Sequence, residues 1–164
     1  MRTRILTIDP GASGGVVEVY PDGRLVATPM PDDADLRDLI QAFAVGAAME
    51  GDRAVAYMEI VGGMIKVGGK NVGMGPVMFN FGSGFGYIRG LLDMARIERR
   101  MITPKMWQAN IPGIHGLDKP CRKRALKDHA ARLFPSIKVT LMTADALCIA
   151  DYARRQVAAM QVAA

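Results

Sequence analysis

The chain has 164 residues, half of them hydrophobic, with a formal net charge of +5 and a sequence pI near 9.5. That length suffices for one domain with a proper core, and the basic balance fits a polyanionic partner. Only two cysteines occur, Cys121 in a basic stretch and Cys148 in a helical pattern, which excludes a disulfide scaffold or a thiolate metal motif and fits a reducing compartment.

Met1-Arg2-Thr3-Arg4 runs directly into an apolar strand, and no apolar run approaches transmembrane length. A soluble, cytoplasmic protein with no membrane partner is therefore expected. Residues 4–8, 14–20 and 24–28 have strand character, the last two joined by the turn Pro21-Asp22-Gly23. Short connections of this kind imply an antiparallel meander. Residues 35–49 have helical spacing at Leu36, Leu39, Ile40 and Phe43, and residues 54–60 form a fourth strand, reached by a crossover and so parallel to the first. The glycine-rich segment 62–76, carrying Lys66 and Lys70, has no periodicity and reads as a mobile basic loop. A second helix over 77–95, a fifth strand over 97–103, a short helix over 104–109, a basic helix over 119–134 and a terminal helix over 144–162 complete the order.

Three carboxylates stand at the ends of apolar segments. Asp9 closes the first strand, Glu59 the fourth, and Asp145 opens the last helix. A charge beside a core must be paired, hydrated or bound to a cation, and the parallel pairing makes Asp9 and Glu59 neighbours. Three converging acids would form a divalent-metal site, and a donor set without histidine or thiolate points to magnesium, or manganese, over zinc. Taken singly, each acid also has an ordinary explanation: a turn-capping aspartate, a strand-end glutamate, and an aspartate in a helix's first turn.

The element order is that of an α/β, ribonuclease-H-like fold with a five-stranded mixed sheet flanked by helices. Ile8-Asp9-Pro10-Gly11, Met58-Glu59, Phe79-Asn80-Phe81-Gly82 with Gly86 and Gly90, Thr103-Pro104-Lys105 with Trp107, and Ala144-Asp145-Ala146-Leu147 resemble the RuvC-type Holliday-junction resolvases, especially phage-encoded members. The similarity runs over residues 4–155. It implies a homodimeric, metal-dependent endonuclease that resolves four-way DNA junctions by paired incisions, with Asp9 bridging two divalent ions and Glu59 and Asp145 on either side. Two such ions, roughly 4 Å apart, would activate the attacking water and stabilise the departing oxygen. One departure stands out: these resolvases carry a fourth acid or histidine about one turn before the Asp145 position, and here Met142 occupies it. Asp151 is the nearest substitute, but six residues rotate it about 240° around the helix, away from Asp145.

Several features keep two readings. Gly11, Gly14 and Gly15 suit either a close approach to phosphate or a hairpin that needs permissive backbone. Gly82, Gly86 and Gly90 line one stripe of the second helix beside Phe85, Ile88, Leu91 and Leu92, and serve either packing on the sheet or a two-fold dimer contact, which the resemblance favours. Trp107 could stack on a base, although a lone tryptophan in a short amphipathic helix is more often core. Lys66, Lys70, Lys105, Lys119, Arg122, Lys123 and Arg124 are the candidate DNA-binding residues; the run from Lys119 to Arg124 opposes the dipole at a helix start, a penalty that a phosphate would relieve. For opening the junction centre the candidates are Met64, Met74, Met78 and Phe79. The alternatives to a resolvase are a related nuclease on RNA or hybrid, a catalytically weak junction-binding protein suggested by Met142, and a nucleotide-binding phosphotransferase, for which the chain is short.

Overall fold

The computed structural model describes residues 2–60, 65–67, 70–72 and 76–162, with side chains in 2–60 and 79–162. Strands β1 (Thr3–Asp9), β2 (Gly15–Val19) and β3 (Leu25–Pro29) precede helix α1 (Asp33–Met49) and strand β4 (Arg53–Glu59). Two short strands, β5 (Ile65–Val67) and β6 (Lys70–Val72), lead to α2 (Pro76–Met94), β7 (Glu98–Ile102), α3 (Pro104–Gln108), α4 (Lys119–Leu133) and α5 (Ala144–Val162). The main sheet has the order β3-β2-β1-β4-β7. Its first three strands are antiparallel neighbours, while β1 with β4 and β4 with β7 run parallel.

Both faces of this sheet are covered, which is why its central strands read as nearly continuous apolar runs. Alternate side chains enter opposite cores. Ile5, Val17, Val55 and Tyr57 pack with Leu147, Ile149 and Leu126 on one side. Leu6, Ile8, Val16, Ala56 and Met58 meet Leu36, Ile40, Phe43, Ile88 and Leu92 on the other. A side chain such as Leu92, fully buried, contributes about 1.5–3 kcal/mol by leaving water. Asp32 caps α1 by accepting a hydrogen bond from the Asp35 amide at 2.9 Å, so the helix begins three residues before its first buried apolar position, Leu36.

At the start of β1 and β4 the sheet is held by charge. The Arg4 guanidinium, almost fully buried, lies 3.0 Å from Asp52 Oδ2 and 2.6 Å from Glu50 Oε1, and Arg2 Nε donates to Asp52 Oδ1 at 2.9 Å. Burial alone would push the Asp52 carboxyl up, but the hydrogen bonds and charges of Arg4 and Arg2 hold it below the ordinary aspartate value. A Cβ at Gly46 would come within 2.8 Å of Arg4 Nη1, so the glycine in the middle of α1 leaves room for this guanidinium.

Two expectations change. Within segment 62–76 the backbone of β5 and β6 pairs antiparallel, Ile65 opposite Val72, so the reading of a loop without regular structure does not hold there. Strands of three residues are too short for alternation to show; the Gly68-Gly69 dipeptide between them in sequence was the available hairpin signal. The remaining residues of that segment, its expected mobility and the side chains of Lys66 and Lys70 lie outside the described residues. Second, Gly82, Gly86 and Gly90 are exposed, with nothing within 4 Å of a Cβ at any of them, so they do not serve packing on the sheet. Among the described residues, no helix is long and apolar enough to cross a membrane.

Candidate active site

Side-chain parity brings two of the acids to one place. Asp9 continues the row of Ile5 and Thr7, and Glu59 continues the row of Val55 and Tyr57. Both rows face α5. Since Ile8 pairs with Met58 across the parallel ladder, Asp9 and Glu59 stand side by side as the last residues of β1 and β4. The carboxyl ends of parallel strands are where α/β sheets commonly bind ligands.

The third acid is delivered by α5. Thr7, fully buried, donates its hydroxyl to the Ala146 carbonyl at 2.8 Å and so ties the first turn of the helix to β1. Ala144, Ala146, Ala150 and Ala153 keep this helix close against the sheet, and Asp145 in its first turn turns toward the acids. Thr143 and Thr140 exchange hydrogen bonds in the preceding turn and set the entry of the helix. Gly15 is required there, because a Cβ would stand 3.0 Å from both the Met142 and Thr28 carbonyl oxygens. Gly14 is required for Asp9 itself, since a Cβ would fall 2.0 Å from the Asp9 carbonyl oxygen; Gly11 adopts φ +122°. Local sterics thus account for the glycine turn without a phosphate.

Asp9, Glu59 and Asp145 border a cavity of about 230 Å³ that is also lined by Trp107, Lys119, Arg122 and Lys123. Lys123 Nζ lies 2.8 Å from Asp145 Oδ2 and 4.0 Å from Asp9 Oδ2. Burial, reinforced by the charge of Asp145 and opposed by Lys123, pushes the Asp9 carboxyl up to about 7. Burial pushes Glu59 up to about 7 as well, helped by Asp9 and Asp145. The buried Trp107 N–H has no hydrogen-bond partner, yet stands near enough to Glu59 to draw its pKa down against the larger effect of burial. Asp145 Oδ1 is likewise buried without a partner.

As the side chains stand, no three histidine, cysteine, aspartate or glutamate groups among the described residues are close enough to cage an ion. The Lys123 ammonium answers part of their charge instead. The donor set nevertheless fits a hard divalent cation: three carboxylates, two held well above their ordinary pKa and one with an orphaned oxygen.

Of the other residues singled out in the sequence, Lys119 and Arg122 line the cavity, while Lys105 and Arg124 are exposed outside it. Trp107 is 1% exposed and belongs to the core, so it is not free to stack on a base. Asp151 pairs with Arg155 at 2.8 Å and does not line the cavity, as its rotation around the helix requires. Phe79 is 73% exposed, whereas Met64, Met74 and the Met78 side chain lie outside the described residues. The place of Lys123 beside the acids, rather than on an outer basic face, is what the sequence reading missed. Its signal was there: Lys123 shares a helical stripe with Leu126 and Ala130, the buried residues of α4.

A larger cleft of about 410 Å³ lies between the Gly11 turn, the start of α1 and α2, walled by Met30, Phe81, Phe85 and Ile88. Among the described residues Asp33 is the one carboxylate lining it, against three in the smaller cavity.

Sheet order, parallel centre and acids at the strand ends define an α/β protein of ribonuclease-H-like architecture. Among solved structures the chain is similar to Thermus thermophilus RuvC, with a TM-score of 0.52 and 17% identity over 94% of this chain and 97% of that one. It is similar also to T. thermophilus RuvC in complex with Holliday junction substrate, with a TM-score of 0.53 and 16% identity over 94% and 96% of the two chains. These likenesses establish the fold. No family model and no curated protein matches the sequence.

Proposed function

We propose that this protein is a magnesium-dependent, structure-selective endonuclease that cuts four-way DNA junctions in pairs, as a homodimer. The observation that carries the reading is the convergence of Asp9, Glu59 and Asp145 on one cavity beside Lys119 and Arg122, on a fold similar to a protein captured with a Holliday junction. Asp9, Glu59 and Asp145 would hold the metal. When bound, a divalent ion supplies a water activated for attack on phosphorus and neutralises charge on the phosphate oxygens. Lys119 and Arg122, at the rim, bind phosphate oxygens and set the strand's register without reading bases. Trp107 and Leu126 give the cavity an apolar wall beside the acids.

The dimer contact proposed is the outer face of α2. Its exposed glycines permit another backbone to approach closely, and Phe79 and Met94, 73% and 85% exposed, supply apolar surface beside them. Two chains related by a two-fold axis would present two cavities to one junction.

Labelled synthetic junction, linear duplex and RNA–DNA hybrid, each with and without magnesium, test the reading. Magnesium-dependent nicks placed symmetrically about the branch point, from a protein sedimenting as a two-chain species, are expected. Cuts scattered along plain duplex would leave a less specific nuclease, and tight junction binding without cuts would favour the weak junction-binding protein suggested by Met142.

Replacing Lys119, Arg122 and Arg124 by glutamine should weaken junction binding and reduce the salt dependence of log K by roughly 0.9 for each phosphate no longer neutralised. Fluorescence anisotropy over a salt series measures this slope. An unchanged slope would remove these residues from the DNA interface.

A further inference from the structure

We propose that the larger cleft, between the Gly11 turn and α2, is a base pocket that takes in one unpaired nucleobase of the bound junction close to the phosphate that is cut. The inference rests on the junction-cutting reading above and names a subsite for it. Phe81, Gly84, Phe85 and Ile88 of α2 all line this cleft, at the spacing of a single helix face, apart from the stripe of Gly82, Gly86 and Gly90. Ile88 is buried, whereas Phe81 and Phe85 are only half-buried. Met30 and Pro31, on the approach to α1, line it too. At the middle of the face Gly84 leaves the space open, since a Cβ there would meet nothing within 4 Å. Half-covered aromatic rings beside such a void are what an unstacked base packs on.

Charge decides which part of a nucleotide enters. Among the described residues no lysine, arginine or histidine lines the cleft, and the exposed Asp33 adds a negative charge, so a phosphate is repelled while an uncharged ring is admitted. The phosphate finds its cations in the neighbouring cavity, at Lys119 and Arg122. One turn joins the two spaces. Asp9 lines the cavity and Gly11 the cleft, and two residues of chain reach at most about 7 Å, the length of about two nucleotides along a strand. The Tyr87 hydroxyl donates to the Asp33 carbonyl at 2.8 Å and so ties α2 to the start of α1 beside the opening. Asp33 and Asn80, both exposed, supply the polar edge. An ionised carboxylate only accepts hydrogen bonds, so it favours adenine, cytosine or guanine, which carry an exocyclic amine, over thymine, which carries none.

2-Aminopurine, a fluorescent base that carries an amine, tests this when placed in turn at each nucleotide around the mapped cut, in chelator, where binding is read without cleavage. At one position its emission should rise severalfold as wild type binds and the base leaves its stack. Gly84→Leu fills the cleft with a better helix former, so it should melt no lower than wild type, yet bind the junction about tenfold more weakly and abolish the rise. Phe81→Leu, which keeps the helix and removes a ring, should show the same loss. Asp33→Asn should keep the rise and bind junctions with thymine at that position as tightly as those with adenine. An unchanged rise in both Gly84→Leu and Phe81→Leu, or no rise at any position, would overturn the pocket, while junction binding by wild type leaves the nuclease reading standing. Uptake of free adenosine by wild type with no signal from the junction would overturn it in favour of a soluble nucleoside. Failure of wild type to bind the junction would overturn both.

Discussion

Asp9→Asn is expected to lower junction cleavage by about a thousandfold or more, close to 4 kcal/mol of barrier, while junction affinity changes little. The asymmetry follows from position. Asp9 projects from the end of β1 into the cavity shared with Glu59 and Asp145, whereas the residues proposed to hold phosphate, Lys119 and Arg122, come from α4. Asparagine keeps the size and removes the charge. Timed cleavage started by adding magnesium and affinity by gel shift read the two effects separately, and full activity in the variant would show that Asp9 holds no metal. Asp151→Asn is the matched comparison: its carboxylate faces Arg155, and a much smaller loss is expected.

Without metal, the folded protein should become less stable as pH rises toward and through neutrality. Asp9 and Glu59, ordinarily 3.8 and 4.5, are both pushed up to about 7, chiefly by burial. Between those values the folded chain retains protons that the unfolded chain has released, so the unfolded state binds fewer and stability falls with pH. The contribution is complete below the unfolded values and lost as pH rises through about 7. For two buried carboxylates, one raising the pKa of the other, the loss is on the order of a few kcal/mol. Asp52, Glu98 and Asp118 are held below their ordinary values and act in the opposite sense, but only in more acid solution. Burial also lowers the pKa of His129, which works against this fall within the window, so urea denaturation in chelator from about pH 5 to about pH 8 is compared between wild type and Asp9→Asn. Asp9→Asn should flatten the slope, and magnesium at neutral pH should restore stability by binding the folded state. Stability that climbs across this window would contradict the burial of these acids together.

Much of this was legible in the chain because the relevant signals are local. Leu36, Ile40 and Phe43 announce α1 by their spacing, and all three are buried. Asp9 and Glu59 end apolar runs whose parity, once the runs are parallel neighbours, places both on one face. The position of Lys123 was harder to see. In a run of five basic residues among Lys119 to Arg124 and Lys127, charge alone does not distinguish the one that turns inward; the packing of Leu126 on α5 decides it. The glycines of α2 show the complementary limit. Their stripe is plain in the sequence, but whether it faces the sheet depends on Phe85, Ile88 and Leu92 claiming the inner side. The strands β5 and β6 escaped because three residues hold no period to read.

The clasp of Arg2 and Arg4 on Asp52 lies at the opposite end of the strands from the acids. Along β1, Arg4 and Asp9 are five residues apart, about 17 Å at the rise of an extended strand. Groups that far apart with no shared partner contribute additively to stability. The protein therefore has two independent levers on the same two strands. Sequence change at the clasp can raise or lower the melting point while the acids keep their spacing, so a lineage or an engineer could adapt this protein to a hotter or colder setting without renegotiating its chemistry.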